Sequence, residues 1–428
     1  MPNSLLFQFE LPNPATWFYA AFALAVAVFL QFPRLLVLRN FDLLGLFLFA
    51  PGFLLIEDAH RYAGGAARDA SVAFLGYVWL LGASGFWFVR CLLDVTAVKR
   101  PRITANLGTS GLFWLAGALL LGLSLGTATK RVEEAPVGKR PLSLNGVEEG
   151  VAGVVQPDQP AAAKILVGRV LAIGCQIAVV VLLILIGTIH FREAATGAAA
   201  AALYLMLPYT CYRFDQSHHI WPTALLLGAI LGFRKPVAAG ILLGLAVGTS
   251  FFPVVLLPVW LQFYRGRGQG LFLAWFAGFA LLGLAGTVPA LVFGGESTAG
   301  IWQTLNLADW QPWRIARPES IWTGVHWAYR LPVFIAFVGL VLGSLFWPSA
   351  RDLGQLLAAN AVLLIGLQFW FADRGGAYVL WYAPLLILMI LRPTTTELQP
   401  PISPHAVMLG WLRRRRAPNA GVAPSLAV

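Results

Sequence analysis

The amino-acid sequence predicts an all-α, polytopic membrane protein with about eleven to thirteen transmembrane helices, and three observations predict it. Of the 428 residues, 58% are hydrophobic and only 11% are charged, and the mean hydropathy is +0.74. This balance is typical of membrane proteins rather than soluble domains. Apolar runs recur along the chain, and many are long enough to cross a bilayer core of about 30 Å. Basic residues fall mostly between these runs, as in cytoplasmic loops.

The predicted helical segments fall into two parts. An N-terminal part, residues 1–127, holds four of them, and a C-terminal part, residues 164–392, holds the rest. Residues 128–163 are rich in Gly, Pro and Glu and are predicted to be a flexible polar connector. Residues 393–428 are predicted to be a disordered, basic, cytoplasmic tail. The predicted segments are 15–32, 41–56, 71–93, 107–127, 165–189, 195–212, 217–233, 236–249, 252–264, 270–293, 329–347, 353–371 and 376–391.

Two of these segments, 236–249 and 252–264, are each too short to cross a membrane alone. They are predicted to form a broken or re-entrant helix pair near residues 236–264. Two arrangements stay open: a buried hairpin broken at Thr249-Ser250, or one bent span broken at Pro253. Glycines at four-residue spacing in the first segment predict close packing of that helix on another. These glycines are Gly240, Gly244 and Gly248.

The distribution of Lys and Arg predicts the orientation. Placing residues 1–14 outside puts most basic residues inside, among them Arg90, Arg392 and the run Arg413–Arg416. The loops 57–70, 213–217, 294–328 and 372–375 then face outward. The loop 128–164 disagrees, because it would place five basic residues on the outer side. The net charge of +11 is explained by the inner loops, so nucleic acid is not predicted as a partner.

The stretch from Tyr204 to Arg267 carries the most informative pattern. In order, it contains Asp215-Gln216, Arg234-Lys235, the run from Ala239 to Ala246, Thr249-Ser250, the prolines Pro253 and Pro258, and Arg265 with Arg267. This order resembles the polyprenol-phosphate-sugar-dependent membrane glycosyltransferases of the GT-C superfamily, in the bacterial mannosyl- and arabinosyltransferase-like branch. The resemblance spans roughly residues 165–392, with a short match at 56–62. The chain departs from it at Thr249-Ser250, where the family usually has a lysine before the first proline.

The resemblance implies a catalytic carboxylate in the first outer loop. Asp58 is the better match, because Tyr62 follows it as in the related branch, and Glu57 is the reserve. Such a carboxylate acts as general base, taking the proton of the acceptor hydroxyl. The alternative interpretation is an ordinary solvated loop beside a helix.

A polar group at the start of the 217–233 segment is the second candidate. N–H groups at a helix start attract anions, and an arginine there can pair with a lipid phosphate. The predicted donor- or acceptor-binding residues of this group are Arg213, Asp215, Gln216 and His219. Adjacent His218 and His219 should diverge by about 100° on a helix and not share one site. The alternative is helix capping by Asp215 or Ser217.

Two late outer loops complete the predicted site, in which Asp58, Arg213 and Arg374 are expected to converge on one membrane-level cavity. The loop 294–328 is rich in Trp and Arg, which suits either a sugar-binding wall or a membrane-interface belt. The last outer loop resembles a family motif that places an arginine on the donor phosphate; an Asp373–Arg374 pair at a helix end is the alternative. The residues singled out in these loops are Arg314, Arg317, Arg374, Tyr378 and Trp381.

The resemblance therefore implies an enzyme of the cell (inner) membrane. It would move a hexose or pentose from a polyprenyl-phosphate donor to a glycan or glycolipid acceptor on the outer side. Its partners are membrane lipid and the lipid-linked sugar. No metal ligands are predicted, because Asp215 and His219 form the only suitable i, i+4 pair, although a divalent metal is left open as a cofactor. A transporter or lipid flippase, or a non-catalytic relative, is the alternative.

Overall fold

The computed structural model describes residues 14–61, 66–96, 105–129, 151, 160–286, 311–313, 320–346, 352–371 and 379–393. Within these ranges the chain is helical and contains no strand. The predictions of a flexible connector and a disordered tail fall almost entirely on residues outside these ranges.

The helices follow one another with short connections. In chain order they are α1 (Pro14–Phe29), α2 (Leu38–Phe47), α3 (Ala50–Arg61), α4 (Ala66–Thr96), α5 (Thr109–Thr129), α6 (Pro160–Leu185, continued by a π-helical turn Ile186–His190), α7 (Ala194–Met206), α8 (Pro208–Tyr212), α9 (Ser217–Leu231), α10 (Pro236–Ser250), a 3₁₀ turn (Phe252–Leu256), α11 (Leu257–Phe263), α12 (Gln269–Ala285), α13 (Trp327–Gly343), α14 (Leu353–Trp370) and α15 (Val379–Leu391).

Each predicted segment overlaps a helix, and most ends differ by a few residues. Three differences change the interpretation. The 41–56 segment is two helices, because the chain turns between Phe47 and Ala50. The 195–212 segment breaks at Leu207, which is extended (ψ 128°), as expected of a residue before proline. Helix α3 continues to Arg61, so Glu57 and Asp58 lie on a helix and not in a loop.

Four helical segments in the described ranges are long and apolar enough to cross a membrane. They are Ser71–Asp94, Thr109–Thr129, Lys164–His190 and Leu353–Trp370. The other apolar helices have 10–17 residues. Length and composition thus support membrane crossing for four helices, and the predicted total of eleven to thirteen stays a prediction.

The core is one cluster of buried apolar side chains shared by both parts of the chain. Helices α14 and α15 are buried along nearly their whole length. Helix α14 packs on α4 from the N-terminal part, and α5 packs on α7. The helices of residues 1–127 and those of residues 164–392 therefore meet in a common interior, and the division into two domains is a prediction from sequence only.

The short segments α10 and α11 form a hairpin. The chain reverses at Phe251, which has a positive φ of 39°. Tyr264, just after α11, donates a 2.7 Å hydrogen bond to the carbonyl of Phe233, just before α10. A bent span would separate these residues by the length of both helices, so the structure favours the hairpin alternative.

The glycines of α10 pack against the backbone of α12, as their spacing predicts. A Cβ atom at any of them would overlap a carbonyl oxygen of α12. The pairs are Gly240 with Phe272, Gly244 with Phe276, and Gly248 with Ala280. Both numbers rise by four along the seam, so α10 and α12 run parallel. Parallel packing requires the hairpin to return to its starting side.

The helices define two ends of the bundle. At the first, which we call the basic end, α2 begins and α4 and α15 end. There Arg90 contacts Asp42, and Arg392 contacts Asp94. At the opposite end, the histidine end, α9, α13 and α15 begin and α14 ends. Hydrogen bonds from Thr223 to the Leu380 carbonyl and from Arg330 to the Trp370 carbonyl join these helices.

Candidate functional site

The histidine end gathers several of the predicted binding residues at the start of α9. Arg213, Asp215 and Gln216 are half-buried, whereas His219 is buried. Arg213 donates from Nη1 to Oε1 of Gln216 at 3.0 Å. Gln216 itself occupies the N-cap position of α9 and makes no side-chain capping bond. The N-cap residue is therefore neither Asp215 nor Ser217, the two expected under the capping alternative.

His218 and His219 lie side by side, contrary to the expectation that they diverge. Their ring centroids are 4.1 Å apart with the planes tilted by 42°. Both side chains are buried. The expectation considered only the 100° step between Cα–Cβ bonds, and rotation about the side-chain bonds brings the two rings together. Both histidines thus belong to one cluster.

Three elements that are distant in sequence meet beside these rings. The ring centroids of His219 and Trp381, the latter near the start of α15, are 6.2 Å apart. Trp381 stacks on Phe252, at the tip of the hairpin, with centroids 3.3 Å apart and planes within 3°. Trp221 of α9 donates from Nε1 to the Thr249 hydroxyl at 3.0 Å. Of the predicted late-loop residues, Trp381 therefore lies in the same cluster as His219.

Thr249 lies where the GT-C glycosyltransferases that the sequence resembles usually have a lysine. Its hydroxyl accepts the bond from Trp221 and donates to the Leu245 carbonyl at 2.8 Å. This side chain therefore fixes the hairpin tip against α9. It carries no charge with which to bind a phosphate, so any cation at this end must come from another residue.

Asp58 lies near the C-terminal end of α3 with an exposed side chain. Helix α3 packs on α8, and the rings of Phe53 and Tyr209 are 5.7 Å apart. Arg213 follows Tyr209 by one helical turn, since its N–H bonds to the Tyr209 carbonyl. Asp58 follows Phe53 by five residues along α3. Helix α3 is antiparallel to α4, since Gly52 contacts Leu80 and Gly76 contacts Ile56, and α4 ends at the basic end. The end of α3 that carries Glu57 and Asp58 therefore lies at the histidine end, as Arg213 does.

Four predicted site residues lie outside the described residues. They are Arg314, Arg317, Arg374 and Tyr378. The predicted convergence of Asp58, Arg213 and Arg374 on one cavity therefore stays a prediction.

One buried cation at this end was not among the predicted site residues. Arg330 of α13 donates from Nε to the Trp370 carbonyl at 2.7 Å, and its guanidinium lies 5.3 Å from the centre of the Trp370 ring. A charge inside an otherwise apolar segment is costly and so signals a structural or functional role. The sequence itself carries this signal, because Arg330 is a charged residue within the predicted apolar segment 329–347.

The described residues contain no group of three or more His, Cys, Asp or Glu side chains that could hold a metal ion. His218 and His219 are therefore not joined there by a third such ligand. The chemistry that the cluster can offer is hydrogen bonding, ring stacking and the positive charge of Arg213.

Comparison with known proteins identifies no relative: no family model, no curated protein and no solved structure matches this chain. The assignment of a function must therefore come from the residues themselves.

Proposed function

We propose that this chain is a polytopic membrane glycosyltransferase of the GT-C type that works at the histidine end. It would take a sugar from a polyprenyl-phosphate donor and transfer it to an acceptor on the outer side of the cell (inner) membrane. The observation that carries the proposal is the meeting of the α9 start, the hairpin tip and the α15 start in one cluster. These are three of the regions that supply the resemblance.

The surface supports the membrane assignment. Large apolar side chains are exposed along several helices, on faces where a soluble protein would place polar groups. On α4 these are Phe74, Leu75, Val78, Trp79, Phe86, Val89 and Leu93, and on α12 they are Leu271, Leu273, Trp275, Leu281 and Leu282. Such faces are stable against lipid chains and unfavourable in water.

The arrangement of the two ends supports the predicted orientation. Arg90 and Arg392, both predicted inside, lie at the basic end, and Arg234 and Lys235 follow the end of α9 that lies there. Of the residues predicted outside, Arg213, Asp215 and Gln216 lie at the histidine end, where α9 begins. Under the proposal, the histidine end faces the outer side, where the donor sugar and the acceptor are available.

The proposed step is a substitution at the anomeric carbon of the donor. Asp58 takes the proton from the acceptor hydroxyl as its oxygen attacks that carbon. The bond between the anomeric carbon and the phosphate oxygen breaks, and its electron pair leaves with the polyprenyl phosphate. Arg213 would stabilise that anion by charge-assisted hydrogen bonds, and Trp381 would pack against the sugar ring.

A transporter or lipid flippase is the rival from another class. The hairpin of α10 and α11 favours it, since broken helices surround the substrate sites of many transporters. A non-catalytic relative is the third possibility, and the absence of a charge at Thr249 favours that one.

The test is sugar transfer by purified protein from polyprenyl-phosphate donors, beginning with mannose and arabinose. We expect transfer by the wild type and a rise in donor KM of about tenfold or more for Arg213→Gln, because a charged hydrogen bond contributes about 1.5–3 kcal/mol. Arg265→Gln is the matched control, since Arg265 is an exposed arginine that follows α11. Movement of lipid or solute across liposomes without any sugar transfer would favour the transporter instead.

A further inference from the structure

The interior beneath the histidine end contains two tyrosine–glutamine pairs. Tyr204 of α7 donates to Oε1 of Gln176 on α6 at 2.8 Å. Tyr382 of α15 donates to Oε1 of Gln368 on α14 at 2.8 Å, and the Ser84 hydroxyl donates to the same oxygen at 3.1 Å. All five side chains are buried. Polar groups from five helices are thus concentrated in the core.

Tyr209 of α8 stands between the two pairs. The Tyr209 and Tyr382 rings both contact Phe49, with centroid distances of 6.0 and 5.9 Å, and α8 packs on α7, which carries Tyr204. The Tyr209 side chain is 1% exposed. On its other side, the Tyr209 ring packs against two apolar rings, Phe49 just before α3 and Phe53 of α3. The Tyr209 hydroxyl therefore faces a polar interior while its ring anchors α3.

Three buried polar atoms on α6 and α8 have no hydrogen-bond partner among the described residues. They are the Tyr209 hydroxyl, Nε2 of Gln176 and the hydroxyl of Thr210. Thr210 also lies close enough to Tyr204 to interact with its hydroxyl. Leaving a buried polar group without a partner costs about 1–3 kcal/mol, and such groups are rare in folded proteins. Gln176 bonds to Tyr204 of α7, α7 packs on α8, and Tyr209 and Thr210 are adjacent on α8, so the three groups point to a shared partner that is not protein.

The chemistry of these groups defines that partner. The three groups are two hydroxyls and an amide, all uncharged, and together they can both donate and accept hydrogen bonds. A bare cation or a phosphate would need opposite charge in so apolar a core. Water suits the site, because a buried water typically makes about three hydrogen bonds to otherwise unsatisfied groups.

We propose that ordered water occupies the interior between α6 and α8 and joins the Tyr204–Gln176 pair, through Tyr209, to the Tyr382–Gln368 pair. The hydrated chain starts directly below the candidate site, since Tyr382 follows Trp381 and Arg213 follows Tyr209 by one turn. It ties α8, which leads into Arg213, to α6 and α15. The inference is independent of the proposed reaction.

The thermal unfolding midpoint of a variant without the Tyr209 hydroxyl distinguishes a hydrated interior from a dry one. In a dry core, Tyr209→Phe deletes an unsatisfied group and leaves the thermal unfolding midpoint unchanged or higher. In a hydrated core, the same variant breaks a water-mediated bond, so we expect the midpoint to fall. Tyr264→Phe is the positive control, because that hydroxyl makes a direct 2.7 Å bond. Tyr19→Phe is the neutral control, because Tyr19 is 68% exposed.

A second variant tests whether the groups share one partner. Thr210→Val removes the neighbouring hydroxyl with little change in shape. If water links Tyr209 and Thr210, the double variant should lower the midpoint by less than the sum of the two single changes, since residues with a shared partner are not additive. Strict additivity of the two changes would overturn the link.

Direct observation of the wild-type protein keeps the inference testable if a variant does not fold. In a cryo-electron microscopy map that shows ordered waters elsewhere, we expect density within hydrogen-bond distance of the Tyr209 hydroxyl and of Gln176 or Thr210. Absence of density there, or density of an acyl chain, would overturn the proposal. A midpoint for Tyr209→Phe equal to or above that of Tyr19→Phe would do the same.

Discussion

The two ends of the bundle use polar residues in different ways. At the basic end, buried charges face each other: Arg90 makes two 2.7 Å bonds to the carboxylate of Asp42, and Arg392 lies 3.2 Å from Asp94. At the histidine end, Arg213 bonds to the neutral amide of Gln216. Charges at the basic end are thus neutralised by partners that join helices, and the described groups at the histidine end are gathered around rings and amides.

This difference indicates a division of roles. An internal ion pair satisfies its own charges and has little left for a ligand, so its contribution is to hold helices together. The Gln216 amide that accepts from Arg213 is neutral and does not offset the guanidinium charge, and a guanidinium binds phosphate through charge-assisted hydrogen bonds. We therefore expect substitutions at the basic end to affect stability, and substitutions at the histidine end to affect activity.

The largest effect should come from Asp58→Asn. The amide keeps the size of the side chain but does not accept the acceptor's proton, and general-base catalysis contributes about 10²–10⁴-fold. We expect kcat for sugar transfer to fall by that factor while the unfolding midpoint is unchanged, because the side chain is exposed.

The control for this variant lies at the other end of the bundle. Asp352 accepts a bond from the Gln355 N–H at the start of α14, and Asn caps helices as well as Asp does, so Asp352→Asn should transfer sugar normally. If Asp58→Asn retains full transfer and Glu57→Gln loses it, then Glu57 is the base.

The next effect is on stability at the basic end. Arg90→Met removes one member of a buried ion pair and leaves the Asp42 carboxylate in the core without it. Breaking such a pair costs about 3–5 kcal/mol, so we expect a marked fall in the free energy of unfolding, measured by denaturant titration in detergent. Donor KM should stay unchanged in the protein that folds.

The double variant Arg90→Met with Asp42→Leu is the matched control. It replaces both charges with apolar groups of similar size, which is often close to neutral. Recovery of most of the lost stability would show that the Asp42 charge caused the loss. A double variant as unstable as the single one would mean that Arg90 acts through packing instead.

The sequence predicted the helices better than it predicted their meeting points. Periodic apolar runs and the glycine spacing in α10 are local signals, and they predicted the segments and a close helix contact. The alternation of basic and apolar segments likewise predicted that Arg90 and Arg392 lie at the same end, where both form ion pairs. By contrast, the choice between hairpin and bent span depended on the Tyr264–Phe233 contact, which no local pattern carries.

The candidate site shows the same limit. Arg213, Gln216 and His219 are close in sequence, so their proximity followed from the helix start alone. The stack of Trp381 on Phe252 joins residues from two distant segments, and only tertiary packing brings them together. Arg330 was readable as a charge in an apolar segment, but its partner, the Trp370 carbonyl, was not.

The smallest effect should come from the hairpin tip, where Trp221→Phe sharpens the comparison between the two ends. The variant keeps an aromatic ring but loses the 3.0 Å bond from Nε1 to the Thr249 hydroxyl. One neutral hydrogen bond contributes about 0.5–1.5 kcal/mol, so stability should fall only slightly. Because the tip holds Phe252 under Trp381, a looser tip should raise donor KM by a few-fold with less change in kcat.

Trp79→Phe is the matched control, since Trp79 makes a comparable 2.7 Å bond to the Leu48 carbonyl away from the cluster. Equal changes in KM for the two variants would remove the hairpin tip from the site, whereas a change confined to Trp221→Phe would place the tip within it.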